Sequence, residues 1–379
     1  MTHVHAVVPD GLDDPRRPSG GNVYDRKVLH ELECLGWVTH EHPVPGPWGG
    51  SRGSPAAARP ALEDVLRRRE DRALVLIDSL VVAASPDLVA SAGDRLRLVV
   101  LVHMPWGYHH PDVAADERAA FSAATCVVTT SRWTRDWLQA EYGLRAAVLH
   151  VVEPGVDRAG VAPGTDAGGE LLCVGAVIPG KGHDLLLSAL AEVSDLRWRC
   201  LCVGALDVEE DYAAGLGQTV RRLGLSDRVR FTGPRVGVDL DRTYAESDVL
   251  VLASRSETYG MVVAEALAHG LPVVAADVGG VAEALGGVVE ALGGVVEALG
   301  RAGGDGCLPG MLVPAESPGA LAAALRRWLA DPEHRRRLRR LANRRRLELA
   351  GWSDAARAFA DILARVSAEP PGPPRRKAR

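Results

Sequence analysis

Short uninterrupted apolar runs recur along the chain, separated by segments whose apolar positions return every three or four residues. Runs of the first kind suit strands buried on both faces, and segments of the second kind suit helices with one face on a core. In the first half, residues 3–8, 73–77, 96–102, 126–129 and 147–151 fit strands, and residues 24–35 and 116–124 fit helices. Residues 43–59, rich in Pro, Gly and Ser, read as a loop. Residues 159–169 hold Gly, Pro, Thr and Asp and little to bury, which predicts an interdomain linker. The alternation then restarts, with strands at 171–174, 198–203, 229–232, 249–252 and 272–275 and helices at 183–193, 211–223, 240–245 and 261–268. This pattern predicts two successive doubly wound α/β domains with a cleft between them, each binding ligands at the carboxyl ends of its strands.

Three segments depart from the alternation. Gly279-Gly-Val-Ala-Glu-Ala-Leu285 is followed by two near-copies, beginning at Gly286 and Gly293. Each interior glycine costs a helix about 1 kcal/mol relative to alanine, so paired glycines argue against a continuous helix. A tandem duplication is expected, its added copies forming an extended or irregular, mobile excursion outside the core, with Glu283 of the first copy as the original glutamate. The arginine-rich run 326–346 is interleaved with Leu329, Leu338, Leu341 and, just after it, Leu347 at near-helical spacing, which predicts an amphipathic helix pair with a solvated basic face. The tail from 367 to 379 has almost nothing to bury and reads as disordered.

The length of 379 residues exceeds what one core usually supports, and 47% hydrophobic with 25% charged residues is ordinary globular composition. A net charge of −5 argues against a dedicated nucleic-acid partner. Six cysteines without C-x-x-C spacing, most in apolar runs, fit a reducing compartment. With no basic apolar leader and no apolar run of membrane-spanning length, a cytoplasmic protein with at most peripheral membrane contact is expected.

Four constellations carry candidate chemistry. Glu257 and Glu265 lie eight positions apart around Tyr259, Gly260, Met261 and Val262. With Glu257 in a loop and Glu265 in the following helix, both carboxylates are placed to accept hydrogen bonds from the hydroxyls of one elongated ligand. Gly20, Gly21 and Asn22 stand between the first strand and a helix, where backbone amides and a helix N-terminus suit an anion. An ordinary strand-to-helix turn has the same composition. His103 follows an apolar strand and precedes Met104-Pro105. Lys181, one of only three lysines, stands in the loop Pro179-Gly-Lys-Gly182, suited to neutralising a phosphate. His109 and His110 lack a carboxylate ligand nearby, and Asp239 and Asp241 suit a helix N-terminus better than a metal, so no metal is expected.

These motifs resemble those of the retaining GT-B-fold glycosyltransferases of family 4, also called group 1, from about Gly20 to Val366. The likeness is strongest in the E-x7-E block Glu257–Glu265. Thr130-Ser131, Glu153–Asp157 and Phe231-Thr-Gly233 are similar to further family segments. The resemblance implies two facing Rossmann-like domains with a central cleft: residues 1–158 on the acceptor side, 159–169 as linker, 170–350 for the donor and 351–366 as a helix returning to the first domain. It implies transfer of a hexose, with retained configuration, from a nucleoside-diphosphate sugar to an unidentified acceptor, without cofactor or metal. His103 and Glu257 would act at the sugar. Gly20, Gly21, Asn22, Lys181, Gly233, Tyr259, Gly260, Met261, Val262 and Glu265 would bind the donor. Where the family commonly carries an arginine the chain has Ala176, which leaves Arg235 or Arg255 as sources of a second cation. An epimerase of the same fold, or a non-catalytic nucleotide-sugar binder, are the alternatives.

Overall fold

A computed structural model describes residues 2–46, 48, 57–292, 295–300 and 308–368, with only the backbone described over 288–300. The tail 369–379, most of the turn-rich stretch 47–56 and Cys307 lie outside the described residues. The chain divides into two compact units, one of residues 1–13, 21–155 and 352–379, the other of residues 14–20 and 156–351.

The first unit runs β1 (His3–Pro9), α1 (Gly20–Cys34), β2 (Val38–Val44), α2 (Ala58–Arg67), β3 (Leu74–Asp78), α3 (Ser79–Ala84), α4 (Pro86–Ala92) and β4 (Arg97–Val102). It continues through α5 (Ala114–Ala123), β5 (Cys126–Thr129), α6 (Arg132–Tyr142) and β6 (Leu149–Val151). All strands are parallel, in the order β2-β1-β3-β4-β5-β6. The strand order reverses between β1 and β3, which makes their carboxyl ends the switch point where open α/β sheets bind ligands. β3 and β5 are buried along their whole length, as expected of apolar runs covered on both faces.

The second unit runs β7 (Glu170–Val174), α7 (His183–Glu192), β8 (Arg199–Val203), α8 (Glu210–Arg222), β9 (Val229–Phe231), α9 (Val238–Ala245) and β10 (Val249–Leu252). Then come α10 (Met261–Ala268), β11 (Val273–Ala276), α11 (Val281–Ala284), the pair β12 (Gly287–Leu292) and β13 (Val295–Gly300), β14 (Gly310–Val313), α12 (Pro318–Ala330) and α13 (Pro332–Arg346). The six-stranded sheet is parallel in the order β14-β11-β10-β7-β8-β9, the Rossmann arrangement, with its switch point between β7 and β10.

The last helix, α14 (Trp352–Ala368), groups with the first unit and packs against β3 and β4. Its buried positions Trp352, Ala355, Ala356, Phe359, Ile362, Leu363 and Val366 follow a helical period. Phe359 is fully buried, so its truncation to alanine costs about 3–5 kcal/mol.

Residues 159–169 are not a free linker. Thr165 donates its backbone N–H and its hydroxyl to the fully buried Asp248, each at 2.6 Å. The Gly168 carbonyl accepts from the Trp328 indole at 2.7 Å, and the Asp166 carbonyl accepts from Arg335 at 3.0 Å. With little apolar content beyond Val161 and three alanines, the segment is fixed by these backbone and Thr165 hydrogen bonds, which composition does not reveal. The same bonds correct the reading of the arginine run. α12 and α13 do form the helix pair, yet Arg335 is buried and also caps the Trp328 and Leu329 carbonyls, Arg339 pairs with Asp248, and Arg346 bonds the Ala268 carbonyl. Part of the basic face is therefore internal.

The three heptads divide between two backbone states. The first copy forms α11, with Val281, Ala282, Glu283 and Ala284 buried, and Gly286 ends the turn at φ +92°. The second and third copies form an antiparallel hairpin in which Gly287 pairs with Gly300 and Leu292 with Val295. Residues 293–294 and 301–307 lie outside the described residues. The excursion is extended, and its two ends lie opposite one another, about 5 Å apart at Cα. Excising residues 287–300 should therefore leave a folded protein that melts at or above the parent temperature, as followed by circular dichroism. A deletion that fails to fold or melts well below the parent would make the hairpin part of the core.

Candidate active site

Two groups of polar side chains stand at the switch points, one in each unit. In the second unit, β7 leads through Gly175 into the loop carrying Lys181, and β10 leads through Ala253 into the loop carrying Glu257. Because β7 and β10 are neighbours, these two loops are adjacent. Gly182 adopts φ +65°, and a Cβ there would lie 1.9 Å from the Ala253 carbonyl oxygen, so only glycine permits the approach. The Arg255 amide donates to the Gly180 carbonyl at 2.8 Å and fastens the loops further. On the other side of Glu257, Gly279 adopts φ +55°, and its Cβ position would fall 1.6 Å from the Glu257 carbonyl oxygen. The first glycine pair of the heptads thus supports the Glu257 loop.

This framework brings the Lys181 ammonium to 2.7 Å from Glu257 Oε1, which also accepts from the Ser254 hydroxyl at 2.8 Å. The Lys181 side chain is 27% exposed and that of Glu257 8%. Tyr259 is buried, and Gly260 precedes α10 at φ +86°, so that Met261 and Val262 form the helix's first turn with its unpaired amides. Glu265 lies inside α10. Its Oε2 accepts from the buried Tyr244 hydroxyl at 2.7 Å, and burial pushes its carboxyl pKa upward. Its Oε1 has no partner among the described residues and is not sealed from solvent. Gly233 follows β9, its carbonyl accepting from Gly204 at 3.0 Å.

The two arginines considered for the second cation differ. Arg255 forms a two-pronged pair with Asp184 at 2.9 and 2.7 Å, and this contact, with help from Tyr212, holds the Asp184 carboxyl down to about 2. Its fork is occupied, which sets Arg255 aside. Arg235 is half-buried, bonds the Thr243 hydroxyl at 2.6 Å and has no ion pair among the described residues.

Gly20, the last residue of the short segment grouped with the second unit, and Gly21 and Asn22 of the first open α1, which follows β1. A Cβ on Gly21 would lie 3.2 Å from His103 Cδ2, so the glycine lets the imidazole lie against the helix start. His103 Nε2 is 2.8 Å from Asp25 Oδ1 of α1 and 3.5 Å from Asp78 Oδ2 at the end of β3. Burial alone would lower the His103 pKa, but Asp25 and then Asp78 overcome this and raise it to about 9. Burial and the charge of Asp25 push Asp78 up to about 8. Both shifts act in the same sense, favouring a charged imidazole and a protonated Asp78. Asp25 Oδ2 is sealed without a partner beside a cavity of about 10 Å³, room for one water. His103 Nδ1 has no partner among the described residues and is not sealed.

Asp25, Asp78 and His103 are also the one group, among the described residues, whose three ligand-type atoms lie within 4.8 Å of one another. In the structure those atoms are spent on hydrogen bonds within the group. The sequence reading missed Asp25 and Asp78, although a carboxylate ending the apolar run Leu74–Asp78 is a signal that was present. It also missed Ser254 and Tyr244, which act on the two glutamates. A larger cavity of about 380 Å³, lined by Glu170, Arg199 and Arg230 among others, opens at the amino ends of the second sheet's strands, away from Lys181. Among the described residues, no helix is long and apolar enough to cross a membrane.

Comparison with known proteins identifies the family. Residues 166–345 match the family described as glycosyl transferases group 1, and residues 3–159 match glycosyltransferase family 4. The chain is 32% identical over 273 residues to D-inositol 3-phosphate glycosyltransferase of Kineococcus radiotolerans, covering 67% of this chain and 60% of that protein. It is 33% identical over 183 residues to mannosylfructose-phosphate synthase of Agrobacterium fabrum, covering 44% of this chain and 40% of that one. The match thus spans between two fifths and three fifths of the length of these relatives. Sucrose-phosphate synthase from Thermosynechococcus elongatus superposes with a TM-score of 0.77 at 20% identity, covering 97% of this chain and all of that one. Anabaena HepE, crystallised with UDP and glucose, superposes with a TM-score of 0.73 at 20% identity, covering 96% of this chain and all of that one. With both halves matched and the fold shared along nearly its whole length, this chain belongs to the group 1, family 4 glycosyltransferases of GT-B fold.

Proposed function

We propose that the protein transfers a hexose, with retained configuration, from a nucleoside-diphosphate sugar held by the second unit to an acceptor held by the first. The observation that carries this reading is the Lys181–Glu257 contact at the β7/β10 switch point, which sets a cation for a phosphate beside a carboxylate for sugar hydroxyls. The chemical difficulty is departure of a diphosphate as positive charge develops on the sugar ring. Lys181 and the first amides of α10 stabilise the leaving anion, and the Gly20-Gly21-Asn22 turn offers amides suited to the same donor. Glu257 orients the sugar and Glu265, through its free Oε1, the ribose. Tyr259, Gly260, Met261 and Val262 shape the phosphate-binding turn, and Gly233 borders the base. His103 presents Nδ1–H to a sugar hydroxyl while Asp25 balances its charge. Ala176 favours a second reading, a nucleotide-sugar binder without turnover, because the usual cation is absent and Arg255 is engaged elsewhere.

Incubation with a panel of UDP- and GDP-hexoses and candidate acceptors tests the reading, with UDP-glucose first because HepE was crystallised with its components. Acceptor-dependent release of nucleoside diphosphate supports transfer. Donor isomerisation or binding without turnover would overturn it. Within that assay Glu257→Gln should depress kcat most, since sugar orientation counts in the transition state, whereas Glu265→Gln should chiefly raise KM and weaken free nucleotide. Identical defects in both variants would contradict the assignment of roles.

A pH profile tests His103. Its raised pKa keeps the imidazole charged below about 9, so kcat/KM should fall as pH rises through that value. In Asp25→Asn the supporting charge is gone while burial remains, and the alkaline limb should move down by at least about one pH unit. A limb that does not move would separate His103 from turnover.

A further inference from the structure

Strands β1 and β2 run parallel with His5 opposite His40, His3 opposite Val38 and Val7 opposite His42. Alternation then puts His3, His5 and Val7 on the same face as His40, His42 and Val44. At the carboxyl side of this face Val7 and Val44 enter the core with Leu62 and Leu66 of α2. Toward the amino ends the same face carries four imidazoles and Arg69. His3 Nδ1 is 2.9 Å from His40 Nε2, and His5 Nδ1 is 3.1 Å from His42 Nε2. The rings of His3 and His40 lie nearly parallel at 8°, and His5 stacks on His40 at 4.8 Å.

The two pairs are not equivalent. Arg69 Nη1 lies 3.1 Å from His5 Nδ1, and a guanidinium only donates, so that nitrogen accepts and His42 Nε2 supplies the other proton. The inner pair is thereby tied by a cation that also opposes any second one. The outer pair has no such cation: His3 is exposed and His40 half-buried, and beyond the stacking of His5 on His40 neither makes a further hydrogen bond among the described residues. Two imidazole nitrogens on one ion at 2.0–2.1 Å stand about 2.9 Å apart at a right angle and about 3.4 Å at the tetrahedral angle. The outer pair already stands at that separation.

We propose that His3 and His40 form a surface site for a divalent transition ion of the imidazole-seeking class, Zn²⁺, Ni²⁺ or Cu²⁺, whose remaining positions are filled by water. The ion would bridge β1 to the edge strand β2. Binding only to the folded chain, it would raise the melting temperature by mass action. The site is separate from the Asp25–Asp78–His103 group, which stands at the carboxyl ends of the strands.

The test is calorimetric titration of Zn²⁺, and separately Ni²⁺, into untagged, chelator-stripped full-length protein at pH 7.5, with melting temperatures recorded in parallel. One ion per chain is expected, with a raised melting temperature. Affinity should fall at least tenfold in His3→Ala and in His40→Ala, and be unchanged in His334→Ala of the second unit. Absence of saturable binding overturns the proposal. So does binding that survives in His40→Ala, or that disappears instead in Asp25→Asn, which would assign the ion to the other group.

Discussion

The second unit is organised around one contact, the Lys181 ammonium against the Glu257 carboxylate. Neither residue would reach the other without the strand order that makes β7 and β10 neighbours. An ion pair this withdrawn from solvent carries a desolvation penalty that its attraction offsets only with good geometry and additional hydrogen bonds. Ser254 supplies one such bond, and two close glycine approaches fix the loops that bear the pair. Much of the local backbone is arranged to hold these opposite charges together at the switch point.

The first unit repeats the arrangement with different chemistry. Its switch point lies between β1 and β3, and Asp25, Asp78 and His103 come from α1 and from the ends of β3 and β4. Two carboxyl groups so close cannot both hold full charge in a buried site, so one retains its proton while the imidazole takes a positive charge. His103 is thereby held in one orientation with its other nitrogen accessible.

Legibility in the sequence followed burial. Strands such as Leu74–Asp78 and Val249–Leu252 are continuous apolar runs, and sequence alone locates them to within a residue or two. Val38–Val44 escaped notice because an edge strand with Thr, His and Glu lacks that run. The glutamates and Lys181 were legible through spacing and rarity. Asp25 was not, because a single aspartate in a helix says nothing until the fold brings His103 to it. The heptads state the limit most plainly: nearly the same seven residues form a helix in one copy and strands in the next two, so context and not local preference decides.

The central claim is that Lys181 serves the donor diphosphate and that Glu257 holds it in readiness. Calorimetric titration of a nucleoside diphosphate into the parent protein, Lys181→Ala and Glu257→Gln tests this directly. Loss of the ammonium should weaken binding by roughly 1.5–3 kcal/mol, about 10- to 150-fold. Loss of the carboxylate charge removes a competitor for that ammonium, so Glu257→Gln should bind the diphosphate as tightly as the parent or more tightly. If Glu257→Gln weakens binding as much as Lys181→Ala does, the pair is a structural brace and the account of the site is wrong.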